Sequence, residues 1–405
     1  MRSGSNGPRM GSFNRSVVLD AIRQSDGASQ VELARQTGLT AQTVSNIVGR
    51  LIAERLILES KKVQGELGRP RTLLRVNLEV NYAVGVHIDP LSIMCVVVDL
   101  SGRIVAQVTR RPAPNSRPSS VVNHVVKGVQ AVIEKSGVPT ALIIGVGIAA
   151  PGSVDLAAGE VIGPPNLPGW GRVPLRDPVA DRLNLPVILD NDATAAAMGE
   201  RWVGGPRRAG SMAFVYLATG IGAGLILADQ AFRGSTGNAG ELGHVSIDAA
   251  GRVCHCGNRG CLEAYIAPAA IQDQLAAHRR HRPAHPPARL DWADFAARMD
   301  TGDAAVTAAM EQAGVRLADA VVGLVNLLDL PRVVIGGRNL GPLAEFFSRI
   351  VGERVNTRTM ARDARTIEVV PSLVGDYVGA IGAASLVLHD SHAPHLSALL
   401  ADIPE

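Results

Sequence analysis

Long apolar runs are missing from this 405-residue chain. Nothing in it approaches the roughly 18–20 consecutive apolar residues that a membrane-crossing helix needs. The first sixteen residues are polar and rich in glycine and serine, without the apolar stretch of an export signal. A soluble, cytoplasmic protein with no membrane partner is expected. Cysteine is scarce as well, four in all, which excludes a disulfide framework for a chain of this size. Three of the four, Cys254, Cys256 and Cys261, nevertheless fall within eight residues, a spacing that in a reducing compartment suggests metal. Net charge is small, at +3, but it is unevenly placed. Residues 1–80 hold 12 Lys/Arg against 7 Asp/Glu, and the rest of the chain holds 28 against 30. A basic head on a neutral body follows, and the head is where a polyanion binds. At roughly 100–200 residues per domain, the length excludes a lone small module.

Residues 12–78 read as three helices and a hairpin. Ser29 with Glu32 three residues on is a capping-box pattern, and Gly38 supplies the stop of the short helix it opens. Thr40 caps the next helix, in which Val44, Ile47, Val48 and Leu51 recur at helical spacing and form one buried stripe. The opposite face carries Gln42, Thr43, Ser45, Asn46 and Arg50, groups that donate to and accept from base edges and phosphates. A short helix, a tight turn and a polar-faced second helix make a helix-turn-helix. Segments 56–61 and 72–76 then pair around a tip holding Arg69 and Arg71 beside glycine and proline. That tip is similar to the wing of a winged helix-turn-helix, with arginines suited to a narrow minor groove.

From Tyr82 the pattern changes to short β-branched runs. Strands are predicted at 82–88, 93–99, 104–109 and 141–148, with a helix at 119–135 between the last two. The order recurs at 212–217, 222–227, 231–233 and 332–335, so the two halves read as a duplication. Between them, a strand ends in Asp190, Asn191 and Asp192 before a small-residue helix. Ligands of open α/β sheets collect at such carboxyl ends, although either Asn191 or Asp192 also suits a helix cap. His278, His281 and His285 lie in a segment rich in Arg and Pro and read as solvated loop residues.

The most specific signal is Gly240-Glu241-Leu242-Gly243-His244, followed by Cys254-His255-Cys256-Gly257-Asn258-Arg259-Gly260-Cys261-Leu262-Glu263. Three thiolates and one imidazole satisfy a closed tetrahedral zinc site, with His244 or His255 as the fourth ligand. With no open position, such a zinc is structural and orients its neighbours.

These motifs, with the Asp190-Asn191-Asp192 triplet and Pro164-Pro165-Asn166-Leu167-Pro168-Gly169-Trp170, resemble the ROK family of repressors and sugar kinases. The resemblance spans residues 82–388, and the winged head matches its repressor branch. It implies an α/β chain in which the winged helix-turn-helix precedes a two-lobed, actin-like (ribonuclease H-like) body, assembled as a homodimer or homotetramer. The implied division is a head at 1–78, a first lobe at 79–192 completed by a helix at about 375–405, and a second lobe at 193–374. The resemblance selects His244 over His255 as the zinc ligand beside Cys254, Cys256 and Cys261. It assigns a sugar's hydroxyls to Asn166, Asn191, Asp192, Glu241, His244 and Glu263, with Gly152 lining the pocket. Asp192 stands at the kinases' general-base position.

Glycine loops separate kinase from sensor, because phosphoryl transfer depends on backbone donors around the phosphates. The run Ala218-Thr219-Gly220-Ile221-Gly222-Ala223-Gly224 resembles the family's hairpin, and Gly336-Gly337 resembles its adenosine-side turn, although Arg338 follows. The first loop departs. Where the kinases carry Asp-x-Gly-Gly-Thr, this chain reads His87-Ile88-Asp89-Pro90-Leu91. Pro90 has no N–H, and Leu91 sets a side chain where phosphate must come close. The expectation is a non-enzymatic regulator that binds operator DNA and a sugar or sugar phosphate effector. The alternative is an ATP-dependent sugar kinase that retains the head.

Overall fold

The computed structural model describes residues 7–25, 27–64, 70–90, 92–111, 118–164, 167, 169–277 and 290–393. Arg69, Asn166 and the histidines at 278, 281 and 285 lie outside them. The head consists of α1 (Gly7–Arg23), α2 (Gln30–Thr37), α3 (Ala41–Ala53), β1 (Ile57–Gln64) and β2 (Pro70–Val76). The capping box forms as the sequence predicts: Ser29 N–H donates to Glu32 Oε2 at 2.8 Å, and Gly38 closes α2 in the left-handed region at φ +69°. Thr40 Oγ1 accepts from Thr43 N–H at the start of α3. Val44, Ile47, Val48 and Leu51 are buried. α1 begins at Gly7, ahead of the predicted start, and the hairpin strands are longer than expected.

The body holds two five-stranded sheets of the same order. The first takes β3 (Tyr82–Asp89), β4 (Ser92–Val98), β5 (Ile104–Arg110), then α4 (Pro118–Ser136), β6 (Ile143–Ala150), β7 (Ser153–Asp155), β8 (Glu160–Ile162), β9 (Arg172–Pro174), α5 (Arg176–Leu183), β10 (Val187–Asn191) and α6 (Asp192–Gly204). Its strands lie in the order β10-β6-β3-β4-β5, and β7-β8-β9 form a small separate sheet. The second half takes β11 (Met212–Leu217), β12 (Ile221–Leu227), β13 (Gln230–Ala231), α7 (Glu263–Ile266), α8 (Pro268–Ala277), α9 (Trp292–Asp300), α10 (Ala304–Leu328), β14 (Arg332–Gly336), α11 (Leu343–Arg358), β15 (Glu368–Pro371) and α12 (Val378–His392). Its order, β13-β12-β11-β14-β15, repeats an antiparallel meander extended by two parallel strands. The strand at 187–191, read from sequence as lying between the halves, is the fifth strand of the first sheet, paired parallel to β6. Its counterpart β15 was not anticipated, and neither were β7, β8 and β9; three or four residues of pairing leave no periodicity to read.

β3 and β4 are buried along almost their whole length, as strands covered by helices on both faces are. α4 lies on one face of this sheet and α12 on the other. Each half ends in a helix that crosses to the opposite sheet: α6 packs on β11 and β12, and α12 packs on β3 and β6. Close backbone approach makes glycine necessary there. A Cβ on Gly85 would stand 1.8 Å from Ala380 O, and one on Gly147 would stand 1.8 Å from Ala383 O. Head and body share one continuous apolar cluster, which runs from Val18, Leu33 and Leu51 through Leu74 to Met94, Trp202, Ala384 and Leu388. Arg23 of α1 donates to Trp202 O at 3.0 Å and stacks 3.9 Å above the indole. No helix among the described residues is long and apolar enough to cross a membrane.

Candidate functional site: a carboxylate-lined cleft beside a thiol cage

The carboxyl ends of β3, β6, β10 and β11 open onto one cavity between the sheets, the position that the open α/β rule selects. It gathers Gly152, Asn191, Asp192, Glu241, His244 and Glu263, all the predicted sugar contacts except Asn166, which lies outside the described residues. The hairpin glycines Gly220 and Gly222 line the same cavity.

Within the triplet each side chain has a different task. Asp190 is buried and pairs with Arg233 at 2.8 Å. Asn191 caps α6, accepting from Ala193 N–H at 2.9 Å and Thr194 N–H at 3.3 Å, while its Nδ2 donates to Gly152 O at 3.0 Å. The cap therefore fixes the Gly152 turn against the helix start. Asp192 accepts from Ala193 N–H at 2.8 Å and faces the cavity. Burial pushes its carboxyl up to about 7, and the charges of Asp89 and Glu241 add to that rise. His87, fully buried behind it, lies 4.0 Å from Asp192 Oδ2 and 3.4 Å from the Tyr216 hydroxyl. Burial pushes His87 down to about 4, so it is neutral at ordinary pH and brings no cation to the pocket.

Glu241 and His244 reach the cavity from the opposite wall because Gly240 and Gly243 lie against β12. Gly240 has φ +97°, and a Cβ there would stand 1.8 Å from Ala223 O. Gly240 O accepts from Ala223 N–H at 2.8 Å. Burial raises the Glu241 carboxyl above its ordinary range. Glu263 Oε2 accepts from Ile221 N–H at 2.8 Å, tying the start of α7 to the glycine hairpin.

Next to this wall, Cys254 Sγ lies 3.7 Å from His244 Nδ1, and Cys256 Sγ lies 3.7 Å from Cys261 Sγ. The ligand atoms of all four residues fall within 4.8 Å of one another. Four ligands about 2.3 Å from a zinc ion are separated by about 3.8 Å, so the donor set and its spacing fit a tetrahedral metal. His244, and not His255, completes this quartet with the three thiols. His255 is half-exposed and 3.6 Å from Glu263 Oε1.

Sequence reasoning missed four residues around the cleft: His87, Asp89, Tyr216 and Arg338. Arg338 Nη1 crosses from the second lobe to Asp89 Oδ1 at 2.9 Å and to Ser92 Oγ at 2.8 Å. An arginine straight after the second glycine of Gly336-Gly337, together with an aspartate in place of a loop glycine, is the signal that could have joined them. On the head, Gln42, Ser45, Asn46 and Arg50 are exposed and Thr43 is half-buried. Gln42 Nε2 donates to Asn46 Oδ1 at 3.1 Å, and the Thr43 hydroxyl is 2.8 Å from that of Thr40. Arg71 is half-buried.

Comparison with known proteins agrees with this geometry. The ROK family model matches residues 83–390, and a MarR family model matches residues 12–63. The chain belongs to the ROK family. A xylose repressor of Bacillus subtilis is 28% identical over 377 residues, covering 93% of this chain and 94% of the repressor. A Thermotoga maritima glucokinase is 30% identical over 311 residues, covering 75% of this chain and 96% of the kinase. The crystal structure of a ROK family transcriptional regulator, a homolog of the E. coli MLC protein, superposes with a TM-score of 0.77 at 23% identity. It covers 97% of this chain and 98% of its own. The fold is thus a winged helix-turn-helix of MarR type on a two-lobed ROK body.

Proposed function

We propose that this ROK protein is a sugar-responsive DNA-binding regulator of transcription, acting as a repressor of carbohydrate genes in the cytoplasm. The observation that carries this reading is the extent of the repressor match: it runs through head and body alike, whereas the kinase match is confined to a length that the body alone accounts for. Operator DNA meets α3 through Gln42, Ser45, Asn46 and Arg50, with Thr43 at its rim and Arg69 and Arg71 on the wing. The pocket takes a sugar through Asn166, Asp192, Glu241, His244 and Glu263, with Asn191 holding the Gly152 turn. Paired carboxylates and amides suit vicinal hydroxyls, and a site built to hydrogen-bond an OH rejects analogues lacking it. His244, Cys254, Cys256 and Cys261 would hold a structural zinc, whose contribution is to fix His244 against the cavity.

The division into a head (1–78), a first lobe (79–192 with the last helix) and a second lobe (193–374) gives a mechanism. Sugar bridging Asp192 and Glu241 draws the lobes together about α6 and α12. α6 begins at the pocket and carries Trp202 in its last turn, against Arg23 of the head. Movement of α6 in a homodimer or homotetramer changes the spacing of two heads, and operator half-sites admit only certain spacings. Sugar and operator then couple reciprocally, by about 1–3 kcal/mol in typical cases.

Fluorescence anisotropy on DNA from upstream of the gene, at fixed salt with and without a sugar panel, tests the reading. Tight binding changed by one sugar is expected, and Glu241→Ala should abolish that change while sparing operator affinity. Sugar-dependent ATP turnover at kinase-like rates would instead favour the alternative, an ATP-dependent sugar kinase, for which Asp192 and the intact Gly220-Gly222 hairpin are the supporting features. Cys256→Ser should lower both bound zinc and sugar affinity. Intact sugar affinity in a metal-free variant would refute the link from cage to pocket.

A further inference from the structure

The cavity is lined by four carboxylates, those of Asp89, Asp192, Glu241 and Glu263. Among the described residues no lysine or arginine lines it. Asp89 is buried at the end of β3, where the resemblance would place a phosphate-loop glycine. It borders this cavity and also the adjoining cleft that holds Arg338 and Asn339. Arg338 lines that adjoining cleft and is already engaged with Asp89 and Ser92. Its placement is fixed by the loop that carries it. Gly337 has φ +157° and a Cβ there would stand 1.8 Å from Leu217 O, so its backbone lies hard against β11. Asn339 is held by Asp376, which accepts from its N–H at 2.9 Å, and its Nδ2 donates to Asp291 at 2.8 Å.

We propose that Asp89, oriented by Arg338, is an additional sugar-hydroxyl acceptor beside Asp192, and that the pocket therefore selects a neutral sugar and rejects its phosphate ester. This rests on the reading of the cavity as a sugar site. A hydroxyl placed against Asp192 also lies within the field of Asp89, the nearness of which is felt in the upward shift of Asp192 after that due to burial. Neutral hydroxyls donate to both carboxylates. A phosphoryl group on that hydroxyl brings about two negative charges into a wall of four carboxylates, of which, among the described residues, Asp89 alone has a guanidinium partner, and like charges at close range in a partly desolvated site repel strongly.

The test is calorimetry on the full-length protein with glucose, N-acetylglucosamine and xylose, and with glucose 6-phosphate and N-acetylglucosamine 6-phosphate. A neutral sugar is expected to bind, with its 6-phosphate weaker by about 100-fold or more. Asp89→Asn preserves shape, removes one negative charge and leaves Arg338 without its ion-pair partner. It should weaken the neutral sugar by about 10-fold and strengthen the phosphate ester, narrowing the discrimination from both sides. Arg338→Gln should weaken the neutral sugar while leaving the ester excluded. If Arg338 instead cradled phosphate, that variant would destroy ester binding in a protein that bound the ester natively. Operator affinity, unchanged in both variants, reports that they are folded. A 6-phosphate binding as tightly as its parent, with Asp89→Asn without effect, overturns the inference. If Glu241→Ala abolishes that same binding, the sugar-pocket reading survives the loss. Absence of binding by every probe removes both.

Discussion

The two lobes have the same five-strand order but use their glycines in different places. In the first lobe Gly85 and Gly147 lie beneath α12, deep in the scaffold, and the loop facing the cleft carries Asp89 and Pro90. In the second lobe the cleft-facing hairpin itself is glycine, with Gly220 and Gly222 on the cavity. Gly224 sits against α6, where a Cβ would stand 2.1 Å from Ala193 O. A duplicated sheet keeps its buried small residues in both copies because helix packing demands them. It keeps the cleft glycines only where ligand approach still requires bare backbone. The first lobe carries instead an ion pair across the cleft, between Asp89 and Arg338. On the proposed reading, the first lobe is the side given to hydroxyl recognition.

Breaking the second lobe's backbone contact should have the largest effect. Gly240→Ala introduces both a left-handed strain at φ +97° and a Cβ 1.8 Å from Ala223 O, against a partner that is itself backbone and cannot rotate away. A loss of about 3–5 kcal/mol in chemical denaturation is expected, with sugar binding lost at temperatures where the fold survives. A loss below about 1 kcal/mol would mean that the second wall is adjustable and that the contrast between the lobes is overstated.

A smaller effect is expected at the first lobe's edge of the cleft. Asp192, raised to about 7 chiefly by burial, holds a proton in the folded protein more firmly than in the unfolded chain. Its contribution to stability is therefore most favourable below the ordinary carboxylate range. That contribution is lost progressively as pH rises from about 4 to about 7, with the full penalty above. Asp192→Asn has no such penalty. Urea unfolding should find it more stable than the native chain at pH 8 by on the order of 1–4 kcal/mol, and no more stable at pH 4. A gap that does not widen with pH would show that Asp192 is ionised in the folded cleft.

Much of this arrangement is legible in the sequence, for identifiable reasons. The Ser29–Glu32 box, the Val44–Leu51 stripe and the β-branched runs are local patterns, each with one conformation that satisfies it. The Cys254–Cys261 cage and the Gly-Glu-Leu-Gly-His motif are likewise short-range, although spacing left His244 and His255 open and the family resemblance selected His244. Asp89 and Arg338 are separated by more than half the chain, and only the closure of the two sheets against each other makes them neighbours. Arg23 and Trp202, 179 residues apart, likewise meet only where the head packs on the body. Asn191 illustrates a partial reading, since the cap on α6 was open between Asn191 and Asp192 in the sequence, and the brace on Gly152 was not read from it. β10 was seen as a strand and misplaced between the halves because pairing partners are a property of topology, and β15 was missed because four residues carry little pattern.

The mildest change sharpens the comparison most. Pro90 lines the cleft at the turn after β3, and glycine there restores both an N–H and conformational freedom without touching Asp89 or Arg338. The cost should come only from the larger entropy of the unfolded chain, about 0.4–1 kcal/mol, well below that of Gly240→Ala in the other lobe. If the missing backbone donor were the sole barrier to phosphate, Pro90→Gly would bind a non-hydrolysable ATP analogue. The structure predicts that it does not, because the Asp89 carboxylate still occupies the position and Arg338 remains committed to it. Nucleotide binding should appear only when Asp89→Gly accompanies Pro90→Gly, since that pair frees the guanidinium and removes the opposing charge in one step. Calorimetry of the single and double variants decides between a loop disabled by backbone chemistry and one disabled by charge, and nucleotide binding by the single variant would assign the loss to proline alone.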